Sequence, residues 1–304
     1  MRYYFLQLVS VAWKSVATVS SYSALGRKRI SHRLYMSLST QLPSRVQAFP
    51  VSDYTTLQQK FENVKLIHVL RHAEGYHNVN REYHDMKHVD ASLTPKGREQ
   101  CQTLAFTSQE GMLSSNSIDL LVTSTLTRCI QTALLCFPSI RPVIAQESIR
   151  ETVNYACDRR RPTSVLREEF PTVDWSDVTD EEDAIWNDYE ERFGSDWKSH
   201  RESGELYRIA DRGRNFLAWL SQRSEKNVVV CSHSAFLRCF FNWGQAGGVP
   251  FLKTQFLDDR EESLRKIDIP LLTYCGDQEF EMHMRSDYKN CELRSFVLVF
   301  DSTM

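Results

Sequence analysis

Four short segments of the chain carry residues suited to handling a phosphate-like anion. Arg71-His72 closes the apolar run VKLIHVL (64–70), and Asn78 follows a few residues on. Ser124 ends the run IDLLVTS (118–124), with Arg128 one helical turn later. Arg150-Glu151 lies just past PVIAQE (142–147), and His233-Ser234 follows NVVVCS (227–232). A guanidinium offers a planar fork of N–H donors that fits phosphate oxygens. A neutral imidazole is a good nucleophile, and a covalent histidine intermediate divides one difficult displacement into two easier ones. A carboxylate nearby can protonate a leaving alcohol and later take a proton from water. Taken singly, each residue has an ordinary explanation: a polar loop, a helix-cap neighbour, a solvated helix face. Their recurrence at four matched positions favours one site.

The positions match because each lies just past a segment that reads as a buried strand. In open α/β sheets ligands bind beyond the carboxyl ends of the strands, so these residue types fall where a site is expected. Helical patterns alternate with the strands. LTPKGREQCQTLAF (93–106) begins with a threonine cap and a proline at the first helical position. TLTRCIQTALLCF (125–137) stops at Pro138, and SAFLRCFFNW (234–243) follows the fourth strand. Residues 204–223 place Leu206, Ile209, Gly213, Phe216, Leu217 and Leu220 along one face. LRSFVLVF (293–300) reads as a terminal strand, whereas residues 244–292 give few signals. This alternation predicts an α/β fold: a three-layer, mostly parallel open sheet with helices on both faces. A single domain is expected over residues 55–304, with the charged, tryptophan-bearing segment 155–203 as a lid or specificity segment.

The net charge of −2 disfavours general nucleic-acid binding, but it hides an asymmetry. Residues 1–52 hold seven of the 37 Lys and Arg and none of the 39 Asp and Glu. A basic, Ser-rich, acid-free leader reads as an organelle transit peptide, implying a mitochondrion or plastid. A secretory signal, or a basic tail on a cytoplasmic enzyme, is the alternative. Lys14 and its polar neighbours interrupt the leader's apolar run, so no integral membrane segment is expected. The eight cysteines show no C-x-x-C spacing, which disfavours a zinc site or a disulfide framework; most read as buried thiols. His77 and His88 could be taken for metal ligands beside His72. A binuclear hydrolase would want several aspartates there.

RHAEGYHN (71–78), STLTRCIQTA (124–133), Arg150-Glu151 and VVVCSH (228–233) together resemble the histidine phosphatase superfamily, with its phosphoglycerate-mutase-like fold. The likeness runs from about residue 64 to 243 and resumes in CELRSFVLV (291–299). CDRRRPTSVLREEFPTVDWSDV (157–178) is further similar to the plant and fungal phosphoglycerate-mutase-like phosphatases. The resemblance implies a phosphoric monoester hydrolase acting on a small phosphorylated metabolite through a phosphohistidine on His72. Glu151 is the expected general acid/base, and Arg71, Arg128 and His233 complete the catalytic set. Asn78, Ser124, Ser234, Arg159 and Arg160 are expected to bind substrate. No metal or other cofactor is called for, since the arginines and histidines supply the positive charge. Glycolytic mutases of this family read Arg-His-Gly where Ala73 follows His72 here, which weighs against a mutase. A catalytically silent regulatory protein would lack the nucleophile or the acid, and both are present. Within the first motif, Glu74 is expected to be structural and Gly75 to let the backbone turn near the anion.

Overall fold

The computed structural model describes residues 45–108, 111–114, 116–194, 202, 205–246 and 269–301. Seven strands form one sheet: β1 (Arg45–Phe49), β2 (Val64–Arg71), β3 (Leu120–Ser124), β4 (Val143–Gln146), β5 (Asn227–Ser232), β6 (Thr273–Tyr274) and β7 (Leu293–Asp301). Their order across the sheet is β4-β3-β5-β2-β7-β1-β6. The β2–β5, β3–β5, β3–β4 and β1–β6 pairs are parallel; only β7 runs antiparallel, to β2 and β1. The expected mostly parallel α/β sheet is therefore present.

Helices cover both faces. On one face α6 (Leu206–Ser221) and α7 (Ser234–Asn242) bury Ile209, Phe216, Leu237 and Phe240 against Ile67, Val69, Val228 and Val230. On the other, α2 (Pro95–Thr107) and α3 (Thr127–Cys136) place Cys101, Cys129, Ile130 and Ala133 against Leu70, Leu121, Val143 and Val229. The short α1 (Tyr54–Lys60) adds Leu57 over Val64, Leu66 and Val297. Each fully buried aliphatic side chain contributes about 1.5–3 kcal/mol of transfer free energy, so the alternating apolar segments drive this layering. Thr94 caps α2 as the sequence predicts, its hydroxyl accepting from the Gly97 amide at 2.9 Å, with Pro95 in the first turn. Two polar residues inside β2 are buried with partners. Lys65 donates to the carbonyls of Arg223 and Glu225 at 2.6 and 2.7 Å, and His68 bonds Ser295 and Asn227.

Three regions depart from the expectation or fill a gap in it. Residues 45–49, assigned to the leader, form β1, whose Val46 and Ala48 point into the core. The domain therefore begins by residue 45 rather than 55, and residues 1–44 of the leader lie outside the described residues. Residues 244–292 include β6 and α8 (Gln278–Arg285). The 155–203 segment holds α4 (Thr163–Glu169) and α5 (Ala184–Phe193), and much of it belongs to the body of the domain. Val173, Trp175 and Val178 pack into the core, and Asp174 exchanges backbone hydrogen bonds with Val143 and Ala145. Its residues 195–201, 203 and 204 lie outside the described residues.

The carboxyl ends of the parallel central strands finish in register. Arg71 pairs with Ser232, and Ser124 with Gln146. The residues just past β2, β3, β4 and β5 are thereby delivered to one edge.

Candidate active site

His72 leaves β2 with its amide bonded to the Ser232 carbonyl at 3.0 Å, which ties the nucleophile segment to the end of β5. Its Nδ1 lies 2.8 Å from the Ala73 carbonyl. A carbonyl can only accept, so Nδ1 carries the proton and Nε2 carries the lone pair. The ring is buried, and burial, reinforced by Arg128, His77 and Arg71, holds its pKa well below the ordinary histidine value. The imidazole is neutral and one-sidedly basic. Behind it, α2 approaches the loop so closely that a Cβ on Gly97 would sit 2.1 Å from the Glu74 carbonyl oxygen. Glu74 is structural as expected: its carboxylate accepts from Thr94 and Lys96, both at 2.9 Å.

Two guanidiniums face the same region. Arg71 donates to the Tyr288 carbonyl at 2.6 Å. Arg128, in the first turn of α3, is buried and held by the Cys157 carbonyl at 2.7 Å and the Asp158 carboxylate at 3.0 Å. Burial works against its charge, but the Asp158 carboxylate, with further acidic groups that include Glu151, raises its pKa above the ordinary value. The Nε donors of both arginines are buried without a hydrogen-bond partner among the described residues. His233, the N-cap residue of α7, has its ring centroid 5.1 Å from that of His72. Its Nε2 lies 2.7 Å from the Ser124 hydroxyl. Ser124 thus positions His233, a more specific role than the substrate contact expected of it. Burial, then the neighbouring Arg128, depresses the His233 pKa as well.

Glu151 is fastened to the start of the same helix. Its Oε1 accepts the Phe236 amide at 3.0 Å and the Thr152 amide at 2.9 Å, while Oε2 takes the Ala235 amide at 3.3 Å. A helix N-terminus offers unpaired N–H groups and a positive dipole end, which suit a carboxylate. Oε2 is the more lightly held of the two oxygens. Ser234 opens the helix and is half-buried beside this group. Two histidines, two arginines and one carboxylate therefore converge at one sheet edge.

A family model described as the histidine phosphatase superfamily (branch 1) matches residues 67–255. The chain belongs to the histidine phosphatase superfamily. A "Phosphoglycerate mutase-like protein" of Arabidopsis thaliana is 30% identical over 270 residues, covering 77% of this chain and 84% of the relative. "Phosphoglycerate mutase-like protein 2" of the same plant is 29% identical over 296 residues, covering 77% and 74%. Among solved structures, the α-ribazole phosphatase from Shigella flexneri aligns at 18% identity and a TM-score of 0.42, covering 76% of this chain and 89% of that one. Superfamily membership supports phosphatase or mutase-type chemistry on a small phosphorylated substrate. No helix among the described residues is long and apolar enough to cross a membrane.

In this superfamily member the three consecutive arginines separate cleanly. Arg160, expected at the substrate, is instead buried in a frame of protein acceptors. It donates to the carbonyls of Arg161, Asp180, Glu181 and Glu182 and to the Thr163 hydroxyl, and pairs with Glu147 at 2.6 Å. Arg161 is anchored to Asp90, Thr127 and Glu169. Arg159 makes no ion pair among the described residues and lies 5.5 Å from the Trp186 ring centroid, half-buried. Arg150, next to Glu151, is likewise structural: it forks onto Asp183 at 2.7 Å through both terminal nitrogens.

Asn78 turns its side-chain oxygen toward the Gly75 amide at 3.1 Å, which orients its own amide nitrogen away from the loop. Gly75 has extended backbone angles, φ −99 and ψ 162, so it supplies no special turn. What it supplies is room, since a Cβ there would meet the His77 ring at 2.7 Å. Several contributors carried no signal in the sequence. Asn290 donates to the His72 carbonyl at 3.1 Å, and the Cys291 amide donates to the carbonyls of Arg71 and His72 at 3.1 and 3.2 Å. These residues sit in a short turn before β7 and resemble any polar loop until the fold brings them under the nucleophile. His77 is a third buried imidazole, its ring 5.5 Å from that of His72 and its Nδ1 unpaired among the described residues.

Proposed function

We propose that this chain is a metal-independent phosphomonoesterase that hydrolyses a small phosphorylated metabolite through a phosphohistidine on His72. Nε2 of His72 attacks phosphorus as the bond to the leaving alcohol breaks, and Glu151 supplies a proton to that alcohol. Water then attacks the phosphohistidine, giving its proton to Glu151 as the P–N bond breaks and inorganic phosphate leaves. Arg71, Arg128, His233 and the amide of Asn78 hold the transferring oxygens. Phosphoryl transfer asks chiefly for such positioning and charge neutralisation. Arg159, the uncommitted member of its run, receives the non-reacting end of the substrate, a carboxylate or second phosphate. The observation that carries the reading is the committed Nδ1 proton of a neutral, buried His72.

The test is phosphate release from an aryl phosphate in the presence of EDTA, followed by a panel of phosphorylated metabolites. Loss of activity on chelation would overturn metal independence. A mutase is the second reading, because the curated relatives carry mutase-like names. A bisphosphorylated primer would then donate its phosphate to an acceptor rather than release it to water. We further infer that the basic segment before residue 45 directs the enzyme to an organelle.

A further inference from the structure

Three cysteines from three elements converge behind the nucleophile loop, and the mechanism uses none of their thiols. Cys101 lies on α2, Cys136 ends α3, and Cys291 stands two residues before β7. Their sulfur atoms all lie within 4.8 Å of one another, and Cys136 and Cys291 approach to 4.0 Å. Three of the other buried cysteines turn to oxygen: Cys129 donates to the Ser232 carbonyl, Cys239 to that of Leu206, and Cys157 to the Asp158 carboxylate. The trio turns inward instead. Apolar packing alone asks only for methyl-sized contacts and does not require three sulfurs from distant parts of the chain to meet.

We propose that Cys101, Cys136 and Cys291 form a three-thiolate site for a soft, thiophilic metal ion. Metal–sulfur bonds of about 2.3 Å in a tetrahedral site place sulfurs about 3.8 Å apart, close to the 4.0 Å between Cys136 and Cys291 and within about 1 Å of the 4.8 Å that bounds all three. Thiolate ligands select soft ions over magnesium or calcium. As each metal–sulfur bond forms, the thiol releases its proton to solvent. Cys101 and Cys136 are buried while Cys291 is half-buried, so a fourth ligand enters on the Cys291 side.

The site has a structural task. Cys291 holds a left-handed backbone, φ 59, and its amide braces the carbonyls of Arg71 and His72. Cys136 belongs to the helix whose first turn carries Arg128, and Cys101 to the helix that packs under Glu74. An ion bound by all three thiolates would fix these elements relative to one another. It would take no part in phosphoryl transfer.

The probe is Cd²⁺ added to the reduced full-length protein, in a Cys275→Ser background that removes the exposed thiol. The expected result is a thiolate-to-cadmium charge-transfer band that saturates at one ion per chain, with a rise in Tm. The band should be lost in Cys101→Ser and Cys136→Ser. Should either buried variant fail to fold, Cys291→Ser at the half-buried position decides. Absence of the band in the reduced protein, or an equal band in Cys291→Ser, overturns the proposal.

Discussion

The imidazole of His72 donates a hydrogen bond from its Nδ1–H to the carbonyl of the very next residue, Ala73, at 2.8 Å. That bond fixes both the tautomer and the ring plane, so Nε2 is the only nitrogen that can attack. Replacement of His72 by alanine removes the nucleophile while Arg71, Arg128 and His233 keep their protein anchors. Turnover of an aryl phosphate should fall at least about a thousandfold, equivalent to about 4 kcal/mol of transition-state stabilisation. A rapid-quench experiment on the unsubstituted protein should trap an acid-labile phosphoryl group that the variant lacks. Activity persisting in the variant would exclude His72 as nucleophile.

Glu151 is held by three amides, two from the first turn of α7, so Glu151→Gln preserves shape while removing the exchangeable proton. General acid assistance matters most for poor leaving groups. The variant should lose about 100- to 1,000-fold in kcat/KM on an alkyl phosphate and much less on p-nitrophenyl phosphate. Equal losses on both substrates would mean that Glu151 serves to hold the helix and transfers no proton.

Arg159 and Arg160 are neighbours with opposite expectations. Arg160→Ala strands a set of buried carbonyls and the Glu147 carboxylate, costing about 3–5 kcal/mol of stability with little change in KM of the folded fraction. Arg159→Ala should leave the denaturation midpoint nearly unchanged and raise KM for the anionic metabolite. Urea unfolding beside steady-state kinetics separates the two. An unchanged KM in Arg159→Ala across the metabolite panel removes it from the substrate site.

The basic leader makes a separate prediction. Residues 1–44 fused to a fluorescent protein should direct it to mitochondria or plastids, whereas residues 45–304 alone should not. Because β1 pairs with β7 from residue 45, a cut at residue 52 would remove a strand from the sheet and lower stability. A diffuse cytosolic signal from the fusion would refute targeting.

The central strands were legible because burial on both faces leaves nearly continuous apolar runs, and the residues just past each run could then be read as one edge. His72, Arg128, Glu151 and His233 all fall on that edge. β1 was not legible: RVQAF buries only alternate residues and sits in a basic stretch. Nor could the sequence distinguish Arg159 from Arg160. Which guanidinium turns inward depends on carbonyls some twenty residues downstream, and no local pattern encodes that. Cys101, Cys136 and Cys291 escaped notice for the same reason, since only tertiary folding gathers them.

Buried histidines should also make the fold sensitive to acid. Burial lowers the pKa of His68 to about 4 and holds those of His72, His77 and His233 below the ordinary value. Below the unfolded value of about 6.5 the unfolded chain therefore binds more protons than the native one, and stability falls with falling pH. The loss begins near pH 6.5 and, for His68, continues until about pH 4, at up to about 1.4 kcal/mol per pH unit for each such histidine. His68 offers the cleanest test because it lies in the middle of β2, bonded to Ser295 and Asn227 and away from the substrate. His68→Gln should be less stable than the unsubstituted protein at pH 8, with the difference narrowing toward pH 5. Urea midpoints measured at both pH values decide, and parallel pH profiles would show that His68 does not contribute to the acid sensitivity.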